Sequence, residues 1–406
     1  MSDPHADSRR TMTAGSVRVL TGLLEAGHLA SMDQLPALVA EQAAHAGMTE
    51  ILIYIADLQQ TVLRLLPTPG EEPDEKIAEF GVDSTLAGRS FRETRTLSCA
   101  DAEQTHWWVP LLNGTERFGV LRASAPLAID VAPGDLRDLA ALVSLLIVSK
   151  RSHSDIYARL IRTRPMNVAA EMQWNLMPPL NFANPQVVIG AALEPAYEVG
   201  GDAFDYALAG GSVHLGIFDA MGHDTAAGLT ANLAVAACRN FRRQGADLVA
   251  TSEGAERVLI EEFGPGTRYV TAILAELHLE SGLLTWVNRG HHPPVLIRGG
   301  RWIGMLACPP SHPLAMDLGL PVTLCREQLE PGDRLLLYTD GIPEAGSPRG
   351  REFGLARFVE FVIRHNADGL PVAETLRRLI HNVLAYHDGQ LEDDATVLVI
   401  EWRGRP

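Results

Sequence analysis

Apolar residues recur at helical spacing through residues 16–46, at Val17, Leu20, Leu23, Leu24, Leu35, Leu38 and Val39. Ser31 and Asp33 stand between the two runs as caps, so two helices are predicted. The period then shortens. Residues 50–56 (EILIYIA), 61–66, 106–112 (HWWVPLL) and 117–123 (RFGVLRA) read as short strands, with a polar, Pro-rich loop at 67–73 and a closing helix over 133–149. Helical spacing continues from 150 to 177 through Ile156, Leu160, Ile161, Met166, Val168, Met172 and Leu176. Pro165 interrupts it, and Pro178 with Pro179 ends it, which predicts a connector helix between two domains.

From Asn181 onward the pattern is β-rich, with apolar runs at 187–192, 212–218, 269–279, 282–288, 294–298, 333–339 and 395–402. Helical stretches at 226–244, 252–263, 355–365 and 372–386 intervene, which predicts an α+β domain of two sheets sandwiched by helices. A chain of 406 residues with 46% hydrophobic side chains is long enough for two or three domains, each with a core of its own.

Fifty acidic against 34 basic residues give a formal charge of −16, which argues against nucleic acid or an anionic membrane as partner and favours divalent cations. The four cysteines, Cys99, Cys238, Cys308 and Cys325, form no CxxC pair. Neither a disulfide framework nor a zinc cluster is expected, and a reducing cytoplasm fits. Residues 1–15 are polar, lack the apolar core of a signal peptide and read as a disordered leader. The apolar stretch 139–148 has about half the ~20 residues a membrane span needs, so it reads as a buried or dimer-forming helix.

The chemistry lies in four aspartates, Asp202, Asp219, Asp340 and Asp393, each placed where a strand-like run meets a Gly-rich or acidic turn. Strand ends hold carboxylates rigidly and turns expose them to a shared cleft, which is how a β-rich scaffold builds a binuclear cation site. Asp202 follows Gly200 and Gly201 after a strand; Asp219 ends LGIFD ahead of AMGHD. Asp219 is placed to bridge two cations and the Ala220 carbonyl to add a ligand, whereas Asp224 reads as a helix cap and His223 as a turn residue. Asp340 ends LLLYTD, and Asp393 lies in Glu392-Asp393-Asp394 at the entrance of the last strand, where adjacent carboxylates repel one another unless a cation neutralises them. The turn Asn288-Arg-Gly-His-His-Pro-Pro reads chiefly as structural, with catalysis by His291 the lesser alternative.

Taken in order, VGGDAFD, FDAMGHD, YVTAIL, VNRGHHPP, LYTDGIPEA and EDDATVLV resemble the SpoIIE-type serine phosphatases of the PP2C-like, metal-dependent group, over residues 170–402. The resemblance implies an αββα sandwich with a Mn²⁺ or Mg²⁺ pair held by Asp202, Asp219, Asp340, Asp393 and the Ala220 carbonyl, the four aspartates being the catalytic set. It implies hydrolysis of phosphoserine or phosphothreonine on a protein, with a STAS-type anti-sigma-factor antagonist as substrate in a partner-switching pathway. AEMQWNLMPP resembles the family's regulatory lead-in helix. Gly201 stands where eukaryotic relatives carry a carboxylate, and their phosphate-binding Arg and acid His have no clear counterpart here.

The helix, strand, strand, helix order over residues 15–150 resembles a GAF sensor domain, whose ligand is an unknown small molecule or none. The domain plan is thus a leader at 1–15, a GAF-like sensor at 16–149, a connector at 150–179 and a phosphatase domain at 180–402, with a homodimer expected from the long helices flanking the junction. A catalytically degenerate, ligand-responsive scaffold and a hydrolase of small phosphate esters are the alternatives.

Overall fold

In the computed structural model, which describes residues 14–405 apart from 71–73, 195, 199, 345–352, 387–390 and 392, the chain divides after Thr163 into two units. The first opens with α1 (Ala14–Gly27) and α2 (Leu35–Ala44), followed by β1 (Glu50–Ala56), β2 (Val62–Leu65), α3 (Glu75–Ala78), β3 (Glu79–Gly81) and α4 (Leu86–Glu93). It continues with β4 (Leu97–Ala100), β5 (Gln104–Asn113), β6 (Glu116–Pro126), α5 (Pro133–Arg151) and α6 (Asp155–Leu160). Six antiparallel strands run in the order β3-β2-β1-β6-β5-β4. One face packs Ile51, Ile53, Ile55 and Leu121 against Leu23, Val39, Leu139 and Val143 of the helices. The other carries a smaller core of Tyr54, Phe91, Trp108 and Val120.

The elements between residues 74 and 100 escape the sequence pattern because each is too short to show a period. β4 pairs with β5 only as far as Trp108. Beyond it lies a cleft of about 420 Å³, lined by Thr94–Thr96, Val109, Pro110, Leu112, Pro133, Arg137 and Ala141.

The helical run expected over 150–177 is broken. α5 ends at Arg151; α6 restarts with Ser154 accepting from the Tyr157 amide; α7 (Val168–Leu176) starts with Asn167 accepting from the Ala170 amide. Each cap competes with a continuous helix, and Pro165 between them removes an amide donor. The predicted leader lies outside the described residues except for Ala14 and Gly15, which open α1.

The second unit continues from α7 with β7 (Asn181–Ala183), β8 (Val187–Glu194), β9 (Asp202–Ala209), β10 (Ser212–Ala220), α8 (Thr225–Arg243) and α9 (Leu248–Phe263). Next come β11 (Val270–His278), β12 (Leu283–Arg289), β13 (Val295–Arg298), β14 (Arg301–Met305), β15 (Cys325–Gln328) and β16 (Arg334–Tyr338). α10 (Leu355–Ala367), α11 (Val372–Tyr386) and β17 (Ala395–Trp402) complete it. The sheets run β15-β12-β11-β10-β9 and β14-β13-β16-β17-β8-β7.

Their inner faces meet in one core, with Phe204, Ile217, Ile273 and Trp286 against Ile189, Leu335, Leu337, Leu398 and Ile400. α8 and α9 cover Phe218, Leu274 and Val287 on one outer face, while α10 and α11 cover Leu336, Val397 and Val399 on the other. Strands buried on both faces explain the near-continuous apolar runs in the sequence. The result is the expected α+β chain with an αββα sandwich.

One expectation about cysteine is overturned: Cys308 and Cys325 form a disulfide, while Cys99 and Cys238 are free. The two lie far enough apart in sequence that no spacing motif announces them; the return of the chain into edge strand β15 brings them together. Among the described residues no helix is long and apolar enough to cross a membrane.

Candidate functional site

Antiparallel pairing of β9 with β10 sets Asp202 opposite Asp219, next to the end of β10, and pairing of β10 with β11 sets Thr271 on the other side of Asp219. In the second sheet Tyr338 of β16 pairs with Val397 of β17, so Asp340, just beyond β16, and Asp393 and Asp394, just before β17, arrive at one edge. Asp202 enters a strand rather than leaving one, contrary to the sequence expectation. Antiparallel neighbours make this necessary, since one end of a sheet collects the finish of one strand and the start of the next.

The turn before β9 is held from a distance of nearly two hundred residues. Asp394 accepts from the Gly200 amide at 3.2 Å and the Asp202 amide at 3.4 Å. Thr339 donates its hydroxyl to Asp202 Oδ2 at 2.6 Å and accepts from the Thr396 amide at 2.9 Å. Gly200 and Gly201 serve close approach rather than an unusual backbone angle. A Cβ on Gly200 would meet Asp394 Oδ2 at 1.8 Å, and one on Gly201 would meet the Ala220 carbonyl oxygen at 2.1 Å. Gly201→Ala is therefore expected to push the Ala220 carbonyl aside and cost activity ~100-fold, the scale of a 1 Å misplacement at a reacting centre. Steady-state kinetics at saturating Mn²⁺ check this, and an unimpaired Gly201→Ala enzyme would show that the Ala220 carbonyl has no part in the site.

The carboxylates crowd one another. Burial, then Asp394 and Asp219, hold the Asp202 carboxyl well above its ordinary range. Burial, then Asp340, Asp393 and Asp394, push Asp219 up to about 7. Asp394 is pushed up to about 7 by burial and Asp393, and Asp340 is raised by burial and Asp393. Among the described residues none of the five is paired with a Lys or Arg. A set of oxygen donors that is buried at Asp202 and Asp394, half-buried at Asp219 and Asp340 and exposed at Asp393, and that lacks a cationic partner, fits hard divalent cations such as Mg²⁺ or Mn²⁺. Glu392 lies outside the described residues.

His291 is buried and tied on every side. Its amide donates to Asn288 Oδ1 at 2.8 Å, Asn288 Nδ2 donates to its carbonyl at 2.9 Å, Nδ1 lies 2.7 Å from Thr271 Oγ1, and Nε2 lies 3.1 Å from the Tyr338 carbonyl. Burial, with the neighbouring His292, lowers it to about 3, so it is neutral, Nε2–H donating to Tyr338 and Nδ1 accepting from Thr271. It thus stitches β11 of one sheet to β16 of the other beside Asp219. Asp224 Oδ1 caps α8 through the Ala227 amide at 2.8 Å, and His223 is exposed in the preceding turn.

Gln173, buried on α7, donates Nε2 to the Asp202 carbonyl. That contact, the two threonines and the clamping role of Asp394 are invisible to local patterning. The acid pair ahead of β17 and the Thr-Asp dipeptide after β16 are the only local signals that could have pointed to Asp394 and Thr339.

Residues 209–403 match the family model described as "Stage II sporulation protein E (SpoIIE)". The chain is 21% identical over 337 residues to Protein IcfG of Synechocystis sp., covering 73% of this chain and 51% of that protein. It is also 21% identical over 239 residues to the phosphoserine phosphatase RsbU of Bacillus subtilis, covering 58% of this chain and 69% of that protein. The chain therefore spans about half the length of Protein IcfG. Among solved structures, the RsbU and RsbW domains of a Mycobacterium tuberculosis protein align with a TM-score of 0.47 at 24% identity, over 57% of this chain and 64% of that one. The SiaA-PP2C domain of Pseudomonas aeruginosa aligns at 0.46 and 21%, over 53% and 86%.

Proposed function

We propose that the chain carries a SpoIIE-type, PP2C-like phosphatase domain, over the residues 209–403 that match that family model, and is a metal-dependent protein serine/threonine phosphatase. The carrying observation is the convergence of Asp202, Asp219, Asp340, Asp393 and Asp394 from separate segments, without a cationic partner among the described residues. Asp202, Asp219, Asp340 and Asp393 would hold two cations with the Ala220 carbonyl, Asp219 lying centrally enough to face both. Such cations supply Lewis acidity that activates water and neutralises charge on a phosphoryl group.

The protein's own part is positional. Thr339 fixes the Asp202 carboxylate, Asp394 fixes the turn that carries it, and His291 locks the two sheets at the level of Asp219. The buried sandwich behind the site keeps these groups preorganised, so little reorganisation accompanies the reaction.

The substrate class follows from the six ordered motifs and from the likeness to a phosphoserine phosphatase. It is phosphoserine or phosphothreonine on a STAS-type anti-sigma-factor antagonist, in a cytoplasmic partner-switching pathway. The test is incubation of the full chain with phosphorylated candidate antagonists, with and without Mn²⁺, followed by mass measurement. Metal-dependent loss of phosphate supports the proposal. Turnover of p-nitrophenyl phosphate alone would favour a small-ester hydrolase, and binding without any turnover a degenerate scaffold.

The first unit is proposed to act as a GAF-like sensor, with the cleft beside β5 as the feature that could take a small molecule. Val17 and Leu24 of α1 and Leu145 of α5 are exposed apolar residues that support a homodimer. A strict monomer in light scattering at micromolar concentration would count against it.

Regulation would reach the site through α7. Gln173→Ala leaves the Asp202 carbonyl without its buried donor, an unsatisfied group that costs about 1–3 kcal/mol. It should lower kcat and Mn²⁺ affinity with little change in KM for the phosphoprotein. A Gln173→Ala enzyme with unchanged kcat and metal affinity would remove α7 from the scheme.

A further inference from the structure

Between edge strand β14 of one sheet and edge strand β15 of the other, residues 306–324 cross the sandwich without a helix or strand of their own. A connection this long and irregular is uncommon in a compact domain and usually carries function. Cys308 and Cys325, 17 positions apart, close its base with their disulfide. Its outgoing limb is docked on the end of the sheet that holds Asp219. There the Ser311 amide donates to the Asn288 carbonyl at 2.9 Å, Leu314 and Val270 exchange backbone bonds of 2.8 and 3.1 Å, and the Gly266 amide donates to the Ala315 carbonyl at 2.7 Å. Val270 leads into Thr271, whose hydroxyl lies 3.5 Å from Asp219 Oδ2 and 2.7 Å from His291 Nδ1, and Asn288 clamps the His291 backbone. The limb therefore braces the strand ends that position the site.

The return limb, 317–324, is held more lightly, with Leu318, Leu320 and Leu324 exposed. The Leu320 carbonyl accepts from Ser311 Oγ at 3.0 Å and its amide donates to His312 Nδ1 at 3.3 Å, which leaves His312 Nε2 to donate to Glu256 at 2.7 Å. At the tip Ala315 and Asp317 take positive φ angles of 72° and 52°, a conformation that residues with a side chain keep only where their surroundings impose it. Once the disulfide opens, the return limb keeps the Leu320 bonds and the packing of Val322 on the core beneath α8 and α9. The base of the segment then loses its covalent tie, and local opening becomes easier.

Cys99 is exposed and free, which suits a compartment that keeps thiols reduced, and there a disulfide is transient and redox-sensing rather than a permanent staple. We propose that Cys308 and Cys325 form a thiol–disulfide modification site that sets phosphatase activity: bonded, the pair holds residues 306–324 against the site; reduced, the segment loosens and activity falls. The proposal rests on the phosphatase reading for the activity and on the cytoplasmic one for the redox poise. Its chemical partner is a dithiol and the disulfide form of that dithiol. Cys325 is half-buried and Cys308 buried, so a thiolate of the reductant attacks the Cys325 sulfur, the S–S bond breaks and Cys308 leaves as a thiolate. The second thiolate of the reductant then attacks its own sulfur in the mixed disulfide and releases Cys325. Two electrons pass to the protein, the two protons of the dithiol end on the two cysteines, and the reductant departs as a cyclic disulfide. The reverse exchange restores the bond.

The experiment poises the full chain with dithiothreitol and its oxidised form, in a Cys99→Ser background that removes the exposed competing thiol. Thiol titration of the denatured chain should find Cys238 alone free after oxidation, and Cys308 and Cys325 with it after reduction. Reduction should lower kcat at saturating Mn²⁺ by ~10-fold, the scale on which support behind a metal site matters, and should speed thermolysin cleavage at Leu318, Leu320 or Leu324. Cys325→Ser, at a half-buried position, and Cys308→Ser should each show the low kcat and the fast cleavage whatever the redox poise. Three free thiols in the oxidised chain would overturn the pair. So would a reductant-dependent fall in kcat that persists in Cys325→Ser. Redox-dependent cleavage with kcat unchanged would overturn the control of activity and leave the phosphatase reading intact. Redox-dependent cleavage in a chain without phosphatase activity in either state would support the redox pair and overturn the phosphatase reading beneath it.

Discussion

Asp219→Asn is expected to abolish Mn²⁺-dependent phosphatase activity without weakening the metal-free fold. Asp219 faces Asp340, Asp393 and Asp394 from a half-buried position, and burial, then those neighbours, raises its pKa to about 7. Ionised, it is repelled; in the proposed site it would be the central donor. An amide of the same shape removes the repulsion and the ligand charge together. Activity should therefore fall by more than the ~10–100-fold that an outer-shell substitution costs. The thermal midpoint of the metal-free variant should equal or exceed that of wild type. Addition of Mn²⁺ should raise the wild-type midpoint, because a ligand that binds only the folded state stabilises it by mass action, and should raise that of Asp219→Asn far less. Near-normal turnover in Asp219→Asn, or a variant that unfolds well below wild type without metal, would contradict this account of the cluster.

The largest expected effect on stability lies behind the site. Arg289, fully buried at the end of β12, pairs with Glu256 of α9, and Glu256 also lies 2.7 Å from His312 Nε2. Ser252 Oγ, at 3.4 Å, is a distant further partner for Arg289. Glu256→Ala strands a guanidinium in the sandwich, which should cost about 3–5 kcal/mol. The loss falls on the second unit, and urea unfolding should show its transition moved to lower denaturant with that of the first unit in place. The pair itself is weak evidence for stability, since its desolvation offsets most of its attraction. Glu256→Leu combined with Arg289→Met should accordingly recover much of the loss. Equal destabilisation by the single and double variants would mean that packing, not the stranded charge, sets the cost. Because Arg289 leads directly into Gly290 and His291, Glu256→Ala should also loosen the turn that carries His292.

Much of the scaffold was legible because burial leaves a periodic trace. β17 was read at its observed bounds, 395–402, and α11 at 372–386, since each is long enough to carry several turns or alternations. α8 shifted by a single residue at its start because Asp224 caps it, which local composition already implied. The short pieces α3, β3 and β4 were lost because three or four residues show no period. The connector helix expected over 150–177, interrupted at Pro165, is broken further because Ser154 and Asn167 cap new helices inside it. The four aspartates stood out as acids that interrupt apolar runs, a local signature, and Asp393 is followed by an acid whose purpose was left open. Asp394 turns out to clamp Gly200 and Asp202, a bond between residues 192 positions apart that no window of sequence contains.

By itself the sequence determined which segments bury which faces, that acids stand where strands meet turns, and that glycines precede the first of them. These are properties of single residues and near neighbours, and the hydrophobic effect writes them along the chain. Only the tertiary structure decided the rest. It set Asp202 across from Asp219, joined Cys308 to Cys325 and brought Gln173 to the Asp202 carbonyl. Each of these depends on strand order and register, which follow from how two sheets and four helices share a core, and not from any stretch short enough to read locally.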